Sequence, residues 1–211
     1  MLRWRCGREV GWMERIIPDM SPADEGDIMQ TKENDLVMIA LFAALVAVLG
    51  LLPAIPMPWG IPVTAQSLGV MLAGAVLGAK RGGLSMLLFI GLVALGLPLL
   101  AGGRGGLGVF VSPTAGFVVG FPVAAYVTGL VMQNLRIDAM VASGIASLIG
   151  GIVVLYVMGI GGFWMLTDKG LMASITIMAT YIPGDLVKVV LTAIVVGALV
   201  KARPQSLLSR H

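Results

Sequence analysis

Two reactive side chains are nearly missing from this 211-residue chain: it has one cysteine, Cys6, and one histidine, His211, both near the ends. A zinc or haem site needs several such ligands converging, and an intrachain disulfide needs a second cysteine. Both residues are expected to be solvated tail residues. Inside the apolar part of the chain there is no histidine to act as a base and no cysteine nucleophile. No glycine-rich phosphate loop precedes a Lys-Ser/Thr pair either, so ATP hydrolysis by the chain itself is not expected. Charge is the third scarcity. Only 12% of residues are Asp, Glu, Lys or Arg, while 58% are hydrophobic; a soluble domain carries about 25% charged residues. So little charge cannot cover a water-facing surface. No charge falls between residues 36 and 79 or between 170 and 184, and a helix needs about 20 apolar residues to cross a bilayer. The expectation is an all-α integral membrane protein.

Residues 1–35 are a different material. They hold Arg3, Arg5, Arg8, Arg15 and Lys32 among more numerous acids, with Pro18 and Pro22. They contain no apolar core of the length a secretory signal requires. A cytoplasmic leader without fixed structure is expected, a membrane domain over 36–200, and a cytoplasmic tail over 201–211. Met29, just before the first apolar run, would serve as a later start.

Pro/Gly clusters and charges cut 36–200 into six expected helices. The first is 36–52, followed by a proline-rich loop over 53–63. The second is 64–79, then a tight turn at Lys80-Arg81-Gly82-Gly83, and the third is 84–97. A glycine-rich connection covers 98–113. The fourth helix is 114–134, the fifth 139–160, and the sixth 171–200 with a break at Pro183-Gly184. With both termini inside, eleven Lys/Arg fall on the inner side and two, Arg104 and Lys169, on the outer side, with Lys188 on neither. That split follows the positive-inside rule and supports six crossings. The second and third helices are short for a full crossing, so part-burial or re-entry is open; backbone at membrane depth is tolerated where protein covers it.

Small residues recur four apart at Ala40/Ala44, Ala43/Ala47, Gly74/Gly78 and Gly116/Gly120. Such stripes let membrane helices approach closely. Spacing alone does not separate packing within the chain from docking of a second membrane subunit.

The unusual charges sit in Y-I-P-G-D-L-V-K, residues 181–188. Three residues of spacing puts Asp185 and Lys188 on one helix face. Asp185 lies 16 residues above Lys201, about 24 Å at 1.5 Å per residue. Each charge inside the hydrocarbon costs about 2.5–3.5 kcal/mol on insertion scales. A self-neutralising pair at a helix N-terminus would account for them, and so would a polar floor for a ligand entering from outside. Arg104 stands alone in A-G-G-R-G-G-L-G, on a segment whose glycines permit movement, and could hold a carboxylate bidentately. It too reads equally as a solvated loop charge. Trp59, Trp164, Phe163 and Tyr181 fall near outer helix ends, where an interfacial belt is the ordinary reading; some of them would wall a pocket.

Taken together, I-P-V-T-A-Q-S-L-G-V-M-L-A-G-A-V-L-G-A-K-R-G (61–82), G-L-P-L-L-A-G-G-R-G-G-L-G (96–108), S-P-T-A-G-F-V-V-G-F-P-V-A-A (112–125) and I-P-G-D-L-V-K (182–188) resemble the BioY family. These are the biotin-specific S-components of energy-coupling factor (ECF) transporters. The motifs occur in the family's order over most of 36–200, with the leader outside them. Ser112 and Ala115 stand where the family usually reads glycine around P-T, which does not bear on biotin binding. The resemblance implies a six-helix S-component fold that captures biotin from outside. It implies a transmembrane coupling subunit and two ABC-type ATPases as partners, in a bacterial cytoplasmic (inner) membrane. It maps biotin contacts to Asp185 and Lys188 and, more loosely, to Arg104. It assigns coupling-subunit docking to the Ala40/Ala44 and Ala43/Ala47 stripes. The chemistry agrees: a carboxylate accepts ureido N–H groups, a lysine donates to the ureido carbonyl, and Arg104 is the free cation for biotin's own carboxylate. Gln66 would add a hydrogen bond, and Tyr181 is counted with the substrate-binding set. No cofactor is expected beyond the ligand biotin, and no nucleic acid. Self-association stays open, as do a free-standing facilitator, a different vitamin, an intramembrane enzyme using Asp185 as a base, and a purely structural subunit.

Overall fold

The computed structural model describes residues 22–58, 61–203 and 207–210; Cys6, Trp59 and His211, and the expectations attached to them, lie outside these. The chain divides into Met1–Val37 and Met38–His211, and the account below concerns the second unit.

The described residues form eight α-helices: α1 (Pro22–Leu51), α2 (Gln66–Leu77), α3 (Ala79–Ala94), α4 (Ala115–Asn134), α5 (Ala139–Ser147), α6 (Leu155–Leu166), α7 (Leu171–Ala179) and α8 (Ile182–Ala202). A 3-10 turn occupies Leu107–Val111, a π-helical segment Leu148–Val154 joins α5 to α6, and a second 3-10 turn covers Leu208–Arg210. The described residues contain isolated bridges but no extended strand. Among the described residues, four stretches are long and apolar enough to cross a bilayer: Glu33–Leu51, Ala115–Asn134, Ala139–Leu166 and Ile182–Ala202. Gln66–Leu77 is a shorter apolar helix. Large apolar side chains cover the outside, for example Leu186, Val187, Val190, Leu191, Ile194 and Val195 along α8. An exterior of this kind suits lipid and not water. The chain is a multi-pass membrane protein.

Three boundaries differ from the sequence expectation. The turn expected at Lys80–Gly83 lies earlier, at Gly78, whose φ of +83° is left-handed backbone that glycine adopts freely. Lys80 to Gly83 form the first turn of α3 instead. The fifth crossing continues to Leu166, because G-G-F-W-M-L has no proline to stop it. The expected break at Pro183-Gly184 falls at Thr180-Tyr181, between α7 and α8. Proline is tolerated in the first turn of a helix, where its missing N–H has no partner to lose, and Pro183 occupies that position in α8. α1 begins at Pro22, within the stretch expected as a leader.

Helix α4 is the centre of the packing, touching α2, α3 and α6. Its glycines let backbones meet. A Cβ on Gly116 would lie 2.4 Å from the carbonyl oxygen of Met158 and 2.9 Å from Gly162 Cα, and one on Gly74 of α2 would lie 2.4 Å from the carbonyl oxygen of Ala125. The Gly74/Gly78 and Gly116/Gly120 stripes are therefore consumed by packing within the chain. The alanines of α1 divide. Ala43 is 2% exposed and belongs to the core, with Ala47 partly buried against it. Ala40 and Ala44 face outward.

Candidate functional site

A pocket opens among the starts of α2, α4, α6 and α8 and the loops before α2 and α4. Its empty space, counting the part open to solvent, is about 660 Å³. Apolar residues line much of it: Ile61, Pro62, Val63, Leu100, Phe117, Val118, Phe121 and Leu155. Asp185, Lys188, Arg104, Gln66 and Tyr181, the side chains singled out in the sequence, all line it too. They are drawn from residues up to 122 positions apart in the sequence.

Asp185 lies in the first turn of α8 and is buried, 7% exposed. Its backbone N–H donates to the carbonyl of Tyr181. Oδ1 accepts from Lys188 Nζ at 2.6 Å and from Ser67 Oγ at 3.4 Å. Oδ2 accepts from Tyr156 Oη at 2.6 Å. Lys188 also donates to Ser67 Oγ at 2.9 Å. Two opposite charges thus share a helix face, with a serine from α2 and a tyrosine from α6 completing the cluster. In low-dielectric surroundings a buried ion pair holds only when additional hydrogen bonds satisfy it, and here two hydroxyls supply them.

The rim is built differently. Arg104 sits between glycines with positive φ at 102, 103 and 106. An antiparallel bridge joins Leu100 and Arg104. The guanidinium donates from Nε to the carbonyl of Ala101 at 3.2 Å and from Nη1 to Thr114 Oγ1 at 3.2 Å. Burial lowers its pKa from the ordinary arginine value, and a guanidinium so lowered remains charged at neutral pH. Five N–H donors leave several beyond these two bonds for an anion.

Gln66 and Tyr181 turn out to hold the walls together. Gln66 Nε2 donates to the carbonyls of Val46 and Leu99, at 3.3 and 3.1 Å, and its Oε1 accepts from the Ala101 N–H at 3.1 Å. It ties α2 to α1 and to the start of the Arg104 loop. Tyr181 Oη donates to the carbonyl of Ile61, fastening the α7–α8 break to the loop before α2. That loop is closed by Ile55 and Val63, which exchange backbone hydrogen bonds at 3.0 and 3.1 Å.

Ser67, Tyr156 and Thr114 escaped the sequence reading. Ser67 had one available signal, its place beside Gln66 in T-A-Q-S. Tyr156 had another, a lone phenol within an apolar helix.

A search of protein families matches the BioY family over residues 23–205. The chain belongs to the BioY family. The match starts 13 residues before position 36, so part of the stretch set aside as a leader falls within the family. A biotin transporter BioY of Rhodobacter capsulatus is 53% identical over 188 residues, covering 84% of this chain and 99% of that protein. A biotin transporter BioY of Rhizobium etli is 46% identical, covering 81% and 95%. Among solved structures, the S-component for biotin from an ECF-type ABC transporter superposes with a TM-score of 0.76 at 30% identity, over 82% of this chain and 93% of that one. These relatives are named as transporters, in keeping with a transport subunit and not an enzyme.

Proposed function

We propose that this BioY-family protein captures biotin at the pocket described above and serves as the substrate-specific subunit of an ATP-driven ECF importer in a bacterial cytoplasmic membrane. The observation that carries the reading is the buried Asp185–Lys188 pair lining an apolar pocket that also contains Arg104. Biotin is polar at its two ends and apolar between them. Its ureido ring offers two N–H donors and a carbonyl acceptor, which suit Asp185 on one side and Lys188 and Ser67 on the other. Its thiophane ring and valeryl chain suit the aliphatic and aromatic walls. Its carboxylate suits the spare donors of Arg104, since a charge-assisted pair of this kind is among the stronger hydrogen bonds. The pair's internal satisfaction and its ligand role are compatible: the donors hold the aspartate while the site is empty and are shared with ligand when it is full.

Six crossings with both termini cytoplasmic agree with the basic-residue split across the membrane. The coupling subunit docks on the outward alanines of α1, Ala40 and Ala44. Ala43 and Ala47 pack inward and contribute indirectly, by fixing how α1 is seated. Energy comes from two partner ATPases. Calorimetric titration of the purified chain in nanodiscs with biotin is the test of binding. Uptake by cells with and without the ATPase partners separates importer from free-standing facilitator. Absence of any biotin-dependent heat refutes the substrate assignment.

A further inference from the structure

We propose that Tyr156 is a positioning residue for ligand recognition, holding the Asp185 carboxylate so that Oδ2 is the oxygen that accepts a ligand N–H. This deepens the biotin reading and rests on it. The two carboxylate oxygens are unequally occupied. Oδ1 accepts from both Lys188 and Ser67, whereas Oδ2 accepts, among the described residues, from Tyr156 alone. A carboxylate oxygen has about two acceptor sites, so the spare capacity lies on Oδ2. A carboxylate held at one oxygen only can swivel about its last side-chain bond. The phenol at 2.6 Å supplies the second fixed point and sets the plane in which Oδ2 offers its remaining lone pair. Tyr156 is itself held: it is 8% exposed, and Phe117 meets its ring edge-on at 6.2 Å and 84°.

The π-helical segment brings this tyrosine to the aspartate. Ser143, Ser147, Gly151, Leu155, Gly159 and Phe163 repeat every four residues, and all six are buried, Gly159 against the Phe117 ring. In an α-helix of 3.6 residues per turn each step of four drifts by about 40°. The wider i→i+5 turns over Leu148–Val154 turn the face back. Leu155 and Tyr156 thereby stay on the buried side that begins with Ser143 and Ser147. Gly150 and Gly151 give the wide turns room: a Cβ on Gly151 would meet the Met71 side chain at 2.5 Å.

The test is a double-mutant cycle read by biotin titration up to millimolar ligand, using the parent chain, Tyr156→Phe, Asp185→Asn and the double variant, with melting temperatures as a fold check. Phenylalanine keeps the ring and its edge contact with Phe117 and removes only the hydroxyl. The expected result is a loss of about tenfold to a hundredfold for Tyr156→Phe in the parent, the range of one hydrogen bond to a charged group. In the Asp185→Asn background the same change is expected to cost less than twofold, because there is no carboxylate left to orient. Binding by Tyr156→Phe within twofold of the parent overturns the proposal. So does an equal loss in both backgrounds, which would make the phenol a packing element acting independently of Asp185. A parent chain that ignores biotin refutes the functional reading itself, an outcome distinct from either.

Discussion

The floor and the rim of the pocket solve the same problem, presenting charge to a ligand, by opposite means. At the floor, Asp185 and Lys188 stand on one helix, pair with each other at 2.6 Å, and share further hydrogen bonds with Ser67 of α2 and Tyr156 of α6. At the rim, Arg104 sits in a run of glycines: its guanidinium bonds a neighbouring carbonyl and Thr114 just before α4, and its backbone bridges to Leu100. Rigid, preorganised groups lose little freedom when a ligand arrives, so a floor of this kind is suited to discriminating shape and hydrogen-bond pattern. A charge carried on a glycine-rich loop is less tightly framed by neighbouring helices and tolerates more variation in what it meets. In the function proposed above, the floor reads the ureido head and the rim collects the carboxylate.

Substitutions separate the two. The largest effect belongs to Asp185→Asn, which removes the ureido acceptor and leaves Lys188 without its counter-charge. Biotin affinity is expected to fall about a hundredfold or more, from hydrogen bonds to a charged group worth about 1.5–3 kcal/mol each. Stability should fall as well, since breaking one side of a buried pair costs about 3–5 kcal/mol; melting curves in nanodiscs would show it. Equal affinity in the variant and the parent would move recognition away from the floor.

Arg104→Ala comes next. It should weaken biotin about tenfold while changing the affinity for biotin methyl ester less than twofold, because the ester has no carboxylate to lose. Competition titration with both ligands reads this directly, and an equal loss for the two would make Arg104 a wall element. Gly105→Ala sharpens the comparison from the backbone side. A Cβ there would lie 2.2 Å from the Leu97 carbonyl oxygen, so the loop must shift and carry Arg104 with it. A loss of about threefold to tenfold is expected, from overpacking costs of about 1–3 kcal/mol shared between loop strain and binding.

The smallest effect on binding belongs to Ala44→Leu, on the outward face of α1 and away from both floor and rim. Titration should give the parent affinity, while uptake in cells that contain the ATPase partners should fall. Unchanged uptake would remove the docking role from Ala44.

The chemistry of this site was largely legible in the sequence, because charge is costly in an apolar chain and so each intramembrane charge stands out. Asp185 and Lys188 could be singled out on that ground alone, and Arg104 as the lone charge of an outer glycine-rich loop. What stayed hidden follows from neutral groups. Ser67 and Tyr156 carry no charge, and their importance comes from meeting Asp185 across 118 and 29 residues, which no local pattern records. Gln66 was visible as a polar residue, but its task of tying three backbone segments together required the fold. The helix boundaries failed where a rule of punctuation was read too literally. Pro183 opens α8 instead of interrupting it, and the bend between α2 and α3 needs one left-handed glycine, Gly78, and not the Gly82-Gly83 pair. The small-residue stripes could not be sorted by spacing, since Gly116 and Ala44 differ only in what the fold places opposite them.

The orientation of the bound vitamin tests the central claim most directly. A structure of the chain with biotin should show the ureido ring within hydrogen-bond distance of Asp185 and Lys188 and the carboxylate against Arg104. A carboxylate paired with Lys188 and a ureido ring under the glycine loop would contradict the division of labour between floor and rim.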